Sequence, residues 1–220
     1  MNATLSLVRS LLLGLVAAVG ISPSSAVAQS APSVIGKTVG EWAAIATESY
    51  FAQPYSVISP CGVRARSGPV WILWPSSNAP GTYEHNCTLP REVHLLVGIA
   101  DAFWIQTPLD DPSLTEADWR ELAQFYLGVF FPVIDIKLEL DGRPVVFDPR
   151  TPIVRTQTPV YTAKWNDDNM FGLDPAAYLN GFPIVDEGYW TILMPLSPGQ
   201  HVLKVSPNTT LERTYHLTVR

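Results

Sequence analysis

The chain has 220 residues, with 14 basic and 20 acidic side chains, and its formal net charge at neutral pH is −6. Proteins that bind nucleic acid use clustered Lys and Arg to displace counterions, and this acidic chain has no such cluster, so nucleic acid and anionic membrane surfaces are not expected partners. The 15% charged fraction and the 20 prolines are typical of a β-rich exported protein with many turns.

The first 28 residues predict a cleavable signal peptide. Arg9 supplies the positive charge, Leu11 to Val19 form an apolar run, and Ala26-Val27-Ala28 has the A-x-A cleavage pattern. The apolar run is well below the ~20 residues that span a bilayer, so a membrane anchor is the weaker interpretation. No later segment of the sequence is long and apolar enough to cross a membrane. We therefore expect cleavage near Ala28 and a single secreted or periplasmic domain over residues 29–220.

Cys61 and Cys87 are the only two cysteines. In an oxidising compartment an even pair predicts a disulfide bond. Two free thiols are the alternative interpretation, and a zinc site would need further ligands at matching spacing, which the sequence lacks.

The first predicted element after the signal peptide is a helix from Val39 to Ala52. Thr38 and Glu41 have the spacing of a capping box, in which the hydroxyl and the carboxylate each bind a backbone N–H. Helical spacing then places Trp42 and Ile45 on the buried face.

A short apolar strand, Pro69–Pro75, follows, and its alternation predicts that Trp71 and Trp74 face opposite sides. The polar residues Ser76–Asn86 predict a loop. Val93–Ala100 is apolar on both faces, so we expect a strand in the middle of a sheet, and Trp104 and Ile105 extend it.

The second predicted helix begins with a capping box at Ser113-Leu-Thr-Glu116 and ends at Gly128, a typical C-cap residue. Ile134–Leu140 then alternates strictly, with Ile134, Ile136, Leu138 and Leu140 predicted to face inward. Asp141-Gly142 between two strand-like runs predicts a type I′ hairpin, because both residues tolerate positive φ.

The last third of the chain predicts further strands. Val154–Lys164 is a strand broken by Pro159, and Trp165–Phe182 is irregular. Gly188–Arg220 contains three strands separated by turns, with Trp190 and Tyr215 as expected core residues. Many short strands with two helices predict a mainly β fold, an antiparallel β-sandwich of the jelly-roll or immunoglobulin-like type with two helical insertions; a single-sheet α+β fold is the alternative.

Several segments, in this order, resemble a family of small secreted bacterial and fungal proteins of unknown function that are often labelled "signal protein". The matching segments are GKTVGEW (36–42), Cys61, SGPVWIL (67–73), CTLP (87–90), LDGRPV (140–145), RTQTPVY (155–161), GYWTILMPLSPGQHVLKV (188–205) and TYHLTV (214–219). The resemblance implies a secreted β-rich domain with one disulfide, and it implies no reaction. After Trp42 this chain lacks the further tryptophans usual in the family. It also has Arg91-Glu-Val-His94 where the family has an Ala-Gly-Lys turn followed by Phe-Phe-Pro.

Polar residues that could perform chemistry form no recognisable motif. His85, His94, His201 and His216 are not spaced as metal ligands, so they are expected to be hydrogen-bonded structural residues. The acidic pairs Asp110-Asp111, Asp167-Asp168 and Asp186-Glu187 are expected in loops, where they are more often turn formers than glycosidase acids. Asn166, Asp168 and Asp174 suggest Ca²⁺ but lack the EF-hand register, so no metal or other cofactor is predicted.

Aromatic residues give the strongest indication of a binding site. Trp74, Tyr83 and Trp165 are expected at loop edges, where they could stack on the apolar faces of sugars; filling the core is the alternative role of such residues. We therefore expect a non-catalytic secreted binding module for an extracellular or envelope ligand, be it glycan, envelope polymer or protein. The candidate ligand-binding residues are Trp74, Tyr83, Trp165, Asp167 and Asp168. A hydrolase using Asp167, Asp168, Asp186 and Glu187, and a structural component of the envelope, are the alternatives.

Overall fold

The computed structural model describes residues 33–66, 68–74, 79–107, 110–132, 134–145, 153–164, 166–169 and 181–220. The proposed signal peptide, residues 1–28, lies outside these ranges. The described chain is mainly β, with two helices and two packed sheets, as the sequence predicted. Its helices and strands are β1 (Ser33–Val34), β2 (Lys37–Thr38), α1 (Val39–Phe51), β3 (Val63–Arg64), β4 (Val70–Leu73), β5 (Gly81–Leu89), β6 (His94–Ile105), α2 (Glu116–Phe130), β7 (Lys137–Leu140), β8 (Arg143–Pro144), β9 (Val154–Gln157), β10 (Tyr161–Ala163), β11 (Phe182–Leu193), β12 (Gly199–Asn208) and β13 (Leu211–Val219).

Sheet 1 has the strand order β10-β11-β6-β4-β3, and β9 also pairs with β11. Sheet 2 has the order β5-β13-β12-β7-β8. Most pairs are antiparallel, but β4–β6 and β13–β5 are parallel, so both sheets are mixed rather than purely antiparallel. The expectation that β6 lies inside a sheet is confirmed, since it pairs with both β11 and β4.

The main core lies between the two sheets. Leu95, Val97 and Leu193 of sheet 1 pack in one apolar cluster with Leu203 and Leu217 of sheet 2. Burying large side chains of this kind contributes about 1.5–3 kcal/mol each. Tyr215, predicted as a core residue, belongs to the same cluster.

Helix α1 adds a third layer on the other face of sheet 1. Trp42, Ala43 and Ala46 of the helix pack with Ile72 and Trp190 of the sheet. The capping box of Thr38 and Glu41 is present, and Trp190 is fully buried, as predicted. Because α1 covers this face, β11 is buried on both faces rather than half-buried.

The predicted ends of the second helix were wrong. The capping box is formed by Thr115 and Asp118, because the Thr115 hydroxyl accepts the Asp118 N–H and the Asp118 carboxylate accepts the Thr115 N–H. Ser113 instead donates to Asp111 in the preceding turn. Gly128 does not cap the helix, which continues to Phe130.

The predicted loop over Ser76–Asn86 was also wrong, since β5 begins at Gly81. Thr82, Glu84 and Asn86 are exposed, while the intervening residues turn toward the interior. This strand is therefore polar on one face, and its parallel pairing with the distant β13 gives no local sequence signal.

The hairpin at Asp141-Gly142 is confirmed, with φ of 52° and 73° at its two central residues. The break at Pro159 is confirmed too, because β9 and β10 flank it. Ile134 does not face inward: it precedes β7 and is exposed, whereas Leu138 is buried as predicted.

Cys61 and Cys87 form a disulfide bond, so the predicted pairing is correct. It joins the segment before β3 to β5 and therefore links the two sheets. No helix within the described residues is both long and apolar enough to cross a membrane.

Candidate functional site: an aromatic cleft beside a buried acid pair

A cleft of about 280 Å³ opens where α1, the end of β4 and the edge strand β5 meet. We call it the aromatic cleft; its lining residues are Tyr50, Ile58, Ser59, Pro60, Trp74, Tyr83 and His85. Ligand sites for drug-sized molecules are about 300–1,000 Å³, so this cleft suits a small ligand or one end of a longer one.

Tyr50 and Trp74 form one wall of the aromatic cleft. Tyr50 lies in the last turn of α1 and Trp74 directly follows β4. Their rings stack with centroids 4.7 Å apart and an interplanar angle of 21°. Trp74 also meets Trp190 edge-on, with centroids 5.5 Å apart. The core residue Trp190 therefore supports this wall from behind, which fixes the aromatic surface before any ligand arrives.

Tyr83 and His85 form the second wall of the cleft. They lie on β5, where alternate residues share a face. The His85 ring packs against the core residue Tyr215, with centroids 5.3 Å apart. Burial lowers the pKa of His85, and the nearby Arg213 guanidinium lowers it further. We therefore expect a neutral imidazole at neutral pH, which leaves a cleft lined by uncharged side chains.

The third wall, Ile58–Pro60, is held by the disulfide bond. Cys61 follows this wall directly and is bonded to Cys87 of β5. The Trp71 indole N–H donates to the Cys61 carbonyl oxygen at 2.7 Å. The disulfide thus fixes Ile58–Pro60 relative to Tyr83 and His85.

The structure brings together two of the three aromatic residues predicted as a platform. Trp74 and Tyr83 line the same cleft, whereas Trp165 lies outside the described residues. Sequence reasoning missed Tyr50 and His85. Tyr50 could have been found from its position at the end of the predicted helix. His85 was missed because residues 76–86 were predicted to be a loop, which concealed that Tyr83 and His85 lie on the same face of a strand.

Asp167 and Asp168, the other predicted ligand-binding residues, do not line the aromatic cleft. The Asp167 side chain is exposed. The Asp168 carboxylate accepts hydrogen bonds from the backbone N–H and the hydroxyl of Ser56, and these bonds lower the pKa of Asp168. Because Ser56 lies in the 3₁₀ turn Tyr55–Val57, just before the third wall, Asp168 supports the cleft from outside.

A calcium site at Asn166, Asp168 and Asp174 has little support. The Asn166 side-chain oxygen accepts the Asp168 N–H, and the Asp168 carboxylate is engaged by Ser56. Asp174 lies outside the described residues. Within the part of the chain that the structure describes, no three His, Cys, Asp or Glu side chains are grouped to hold a metal ion.

Two buried carboxyl groups, which we call the acid pair, lie beneath α1. They are Asp101 of β6 and Asp186 of β11, exposed by only 6% and 2%. Asp186 accepts hydrogen bonds from the Thr47 hydroxyl at 2.8 Å and the Tyr161 hydroxyl at 2.9 Å. Asp101 Oδ1 accepts the Trp190 indole N–H at 3.0 Å, while its buried Oδ2 has no hydrogen-bond partner among the described residues.

Burial raises the pKa of both members of the acid pair. The pKa of Asp101 is well above its usual value because of burial, and the negative charges of Asp186 and Glu187 raise it further. Burial raises the pKa of Asp186 to about 7, although the hydrogen bonds from Thr47 and Tyr161 act in the opposite direction. Both shifts therefore favour the protonated carboxyl groups, and the pKa of about 7 places Asp186 near its midpoint at neutral pH.

The expectation that Asp186 and Glu187 lie in a loop was wrong, because both are buried within β11. They are neighbours on one strand and so point to opposite faces of sheet 1. The Glu187 carboxylate pairs with Arg155 Nε of β9 at 2.7 Å. Asp186 is covered by α1, and neither residue lines the aromatic cleft.

Ser197, His201 and Asp141 have part of the arrangement of a serine hydrolase triad. His201 Nδ1 lies 2.8 Å from Asp141 Oδ2, and Nε2 lies 3.4 Å from the Ser197 hydroxyl. However, Nε2 lies closer, 2.9 Å, to the Ser197 carbonyl oxygen, which requires Nε2 to donate a proton. An imidazolium that bridges Asp141 and this carbonyl cannot act as a general base, so the group is a structural clamp between the β7–β8 hairpin and the turn before β12.

Comparisons with known proteins add little to this geometry. No protein-family model and no curated protein matches the chain. Among solved structures, a chain of the one described as "Structure of PbICP-C in complex with falcipain-2" is similar, with 13% identity and a TM-score of 0.25. The match covers 70% of this chain and 100% of that chain.

Proposed function

We propose that the protein is a secreted, non-catalytic binding module that captures a neutral, sugar-containing ligand outside the cytoplasm in the aromatic cleft. One observation carries the proposal: Trp74 and Tyr83 line the same cleft, and Trp74 is already stacked on Tyr50. Trp and Tyr rings offer flat apolar faces that can stack on a sugar ring, and preorganisation reduces the entropy lost on binding.

The charge of the cleft favours a neutral ligand. Among the described residues that line it there is no Lys, Arg, Asp or Glu, and His85 is expected to be uncharged. The absence of a carboxylate from this lining also disfavours a glycosidase that would use the cleft, since that chemistry needs two of them.

The proposed location outside the cytoplasm rests on the predicted signal peptide and on the disulfide bond. Cys61–Cys87 holds the Ile58–Pro60 wall against β5, so the geometry of the cleft depends on a bond that persists in oxidising compartments.

The test is binding to a panel of neutral oligosaccharides and envelope polysaccharide fragments, measured by calorimetry and by NMR line broadening. We expect at least one neutral sugar to bind, and Trp74→Ala or Tyr83→Ala to weaken it at least tenfold, or about 1.4 kcal/mol. Trp104→Ala is the matched control, because Trp104 stacks on Tyr126 of α2 outside the cleft. If the panel does not bind, or if the cleft variants bind as the parent does, the proposal is wrong.

A role as an assembly component is the second candidate. Phe125, Val129 and Phe130 of α2 are 62%, 54% and 46% exposed and form an apolar patch. Exposed apolar patches on helices often mark protein interfaces. Sedimentation would show self-association that Phe125→Ser abolishes if this patch pairs two copies, and a strict monomer would remove this candidate.

A further inference from the structure

We propose that the acid pair is a proton-controlled latch on the aromatic cleft, so that the cleft is fully formed in mildly acidic medium and loosens as the pH rises above neutral. The inference rests on the proposed function for its biological meaning, but the latch itself can be observed without a ligand.

Two separate contact paths join the acid pair to the same wall of the cleft. Asp186 is held by Thr47, and Tyr50 follows Thr47 by less than one turn of α1. Asp101 is held by the Trp190 indole N–H, and Trp190 contacts Trp74 edge-on. Tyr50 and Trp74 then stack on each other, so both paths end in one aromatic pair.

The surroundings of the acid pair stabilise its protonated form. The groups that contact it are the Thr47 hydroxyl of α1, the Tyr161 phenol of β10 and the Trp190 indole of β11. The negative charge of Glu187, on the opposite face of β11, acts on Asp101 through the sheet. The positively charged side chain that is shown to interact with one of these groups is Arg155, and its Nε is already paired with the Glu187 carboxylate. Within the described part of the chain, no other cation is shown to interact with these groups, so no positive charge there compensates the acid pair when its protons leave.

Loss of these protons places unpaired negative charge between α1 and sheet 1. A buried, unpaired charge raises the free energy of the folded state. Entry of water or outward movement of the element that covers the charge reduces this cost. The covering element is α1, whose last turn contains Tyr50, so relief at Asp186 displaces the cleft wall. Acidic residues whose pKa is raised by burial occur often at functional sites.

The first experiment needs no ligand. The protein is labelled with ¹⁵N-tryptophan, and the indole signals of Trp74 and Trp190 are followed between pH 5 and pH 9. We expect both signals to move with one common midpoint near pH 7, set by Asp186. In Asp186→Asn, which keeps an oxygen acceptor for Thr47 and Tyr161, this common transition should disappear. Asp111→Asn, at an exposed acid in the turn before α2 and away from the cleft, should leave it unchanged.

The second experiment measures binding of a sugar from the panel at pH 6 and pH 8.5. Couplings between sites are typically 5- to 150-fold, so we expect at least fivefold weaker binding at pH 8.5 in the parent and no change in Asp186→Asn. If Asp186→Asn does not fold, Asp186→Ser, which cannot ionise in this pH range and keeps an oxygen acceptor, replaces it in both experiments.

The outcomes separate the two proposals. Tryptophan signals that do not titrate, or that titrate equally in Asp186→Asn, overturn the latch even when a sugar binds. Signals that titrate as expected in a protein that binds no sugar support the latch and overturn the proposed ligand. Sugar binding that is equal at both pH values also overturns the latch.

Discussion

At the scale of single residues, Gly188 shows how closely the acid pair is fitted into sheet 1. It lies directly opposite Asp101 in the β6–β11 ladder. A Cβ at this position would lie 2.5 Å from Asp101 Oδ1 and 2.6 Å from the Ala100 carbonyl oxygen. The absence of a side chain at Gly188 therefore creates the space in which the Asp101 carboxyl group meets Trp190.

We predict that Gly188→Ala destabilises the protein, because one of the atoms it meets belongs to the backbone and cannot rotate away. Overpacking of this kind costs about 1–3 kcal/mol. Urea unfolding followed by far-ultraviolet circular dichroism would measure the loss. A change below about 0.5 kcal/mol would show that the strand shifts freely, and would contradict the close fit inferred for Asp101.

Residue patterns predicted the core far better than they predicted the site. Trp190 and Tyr215 were found from alternation alone, because each faces an apolar layer along its own strand. The pairing of Asp101 with Asp186 could not be found in this way. Their approach depends on the register between β6 and β11, two strands distant in sequence, and on the packing of α1 over that face.

At the scale of elements, local signals fixed the hairpin and the first helix but misplaced the ends of the second. Ser113 and Thr115 are two hydroxyl residues near the start of α2, and acidic residues follow each of them at capping distance. The choice between them depends on where the backbone enters the helix, which the turn at Asp111 determines. β5 was missed because an edge strand with one polar face has the composition of a loop.

The corrected end of α2 leads to a prediction for Gly128. A C-cap glycine with positive φ would resist replacement, but this residue lies inside the helix and a Cβ there would have no heavy atom within 4 Å. We therefore expect Gly128→Ala to stabilise the protein by up to about 1 kcal/mol, because alanine is the better helix former. Thermal unfolding would show the gain as a higher melting temperature. A loss of stability would indicate that Gly128 needs a conformation that alanine cannot adopt, as a helix C-cap does, and would contradict this prediction.

At the scale of the whole molecule, the three-layer arrangement explains why a protein of this size has buried acids. Sheet 1 is covered by sheet 2 on one face and by α1 on the other, and Asp101 and Asp186, in the central strands β6 and β11, are buried between these layers. The acid pair therefore couples the stability of the fold to pH. The sign of this effect is opposite to that of the common salt-bridged carboxylate.

In the folded protein Asp186 retains its proton up to about pH 7, whereas the unfolded chain releases it near its usual value of 3.8. Between these two values the folded state binds more protons than the unfolded state, so the free energy of unfolding falls as the pH rises. The difference corresponds to roughly 4 kcal/mol for Asp186 as an upper limit. Asp101, whose pKa is also raised, contributes in the same direction.

We predict that Asp186→Asn is about as stable as the parent at pH 4 and clearly more stable at pH 8, as measured by urea unfolding at both values. His201 also loses a stabilising contribution above its unfolded pKa of about 6.5, because hydrogen bonds with Asp141 and the Ser197 carbonyl raise its folded pKa. That contribution is the same in both proteins and cancels in their difference. A parent that is as stable as Asp186→Asn at pH 8 would mean that Asp186 ionises without penalty, and the carboxyl group would then have to be open to water.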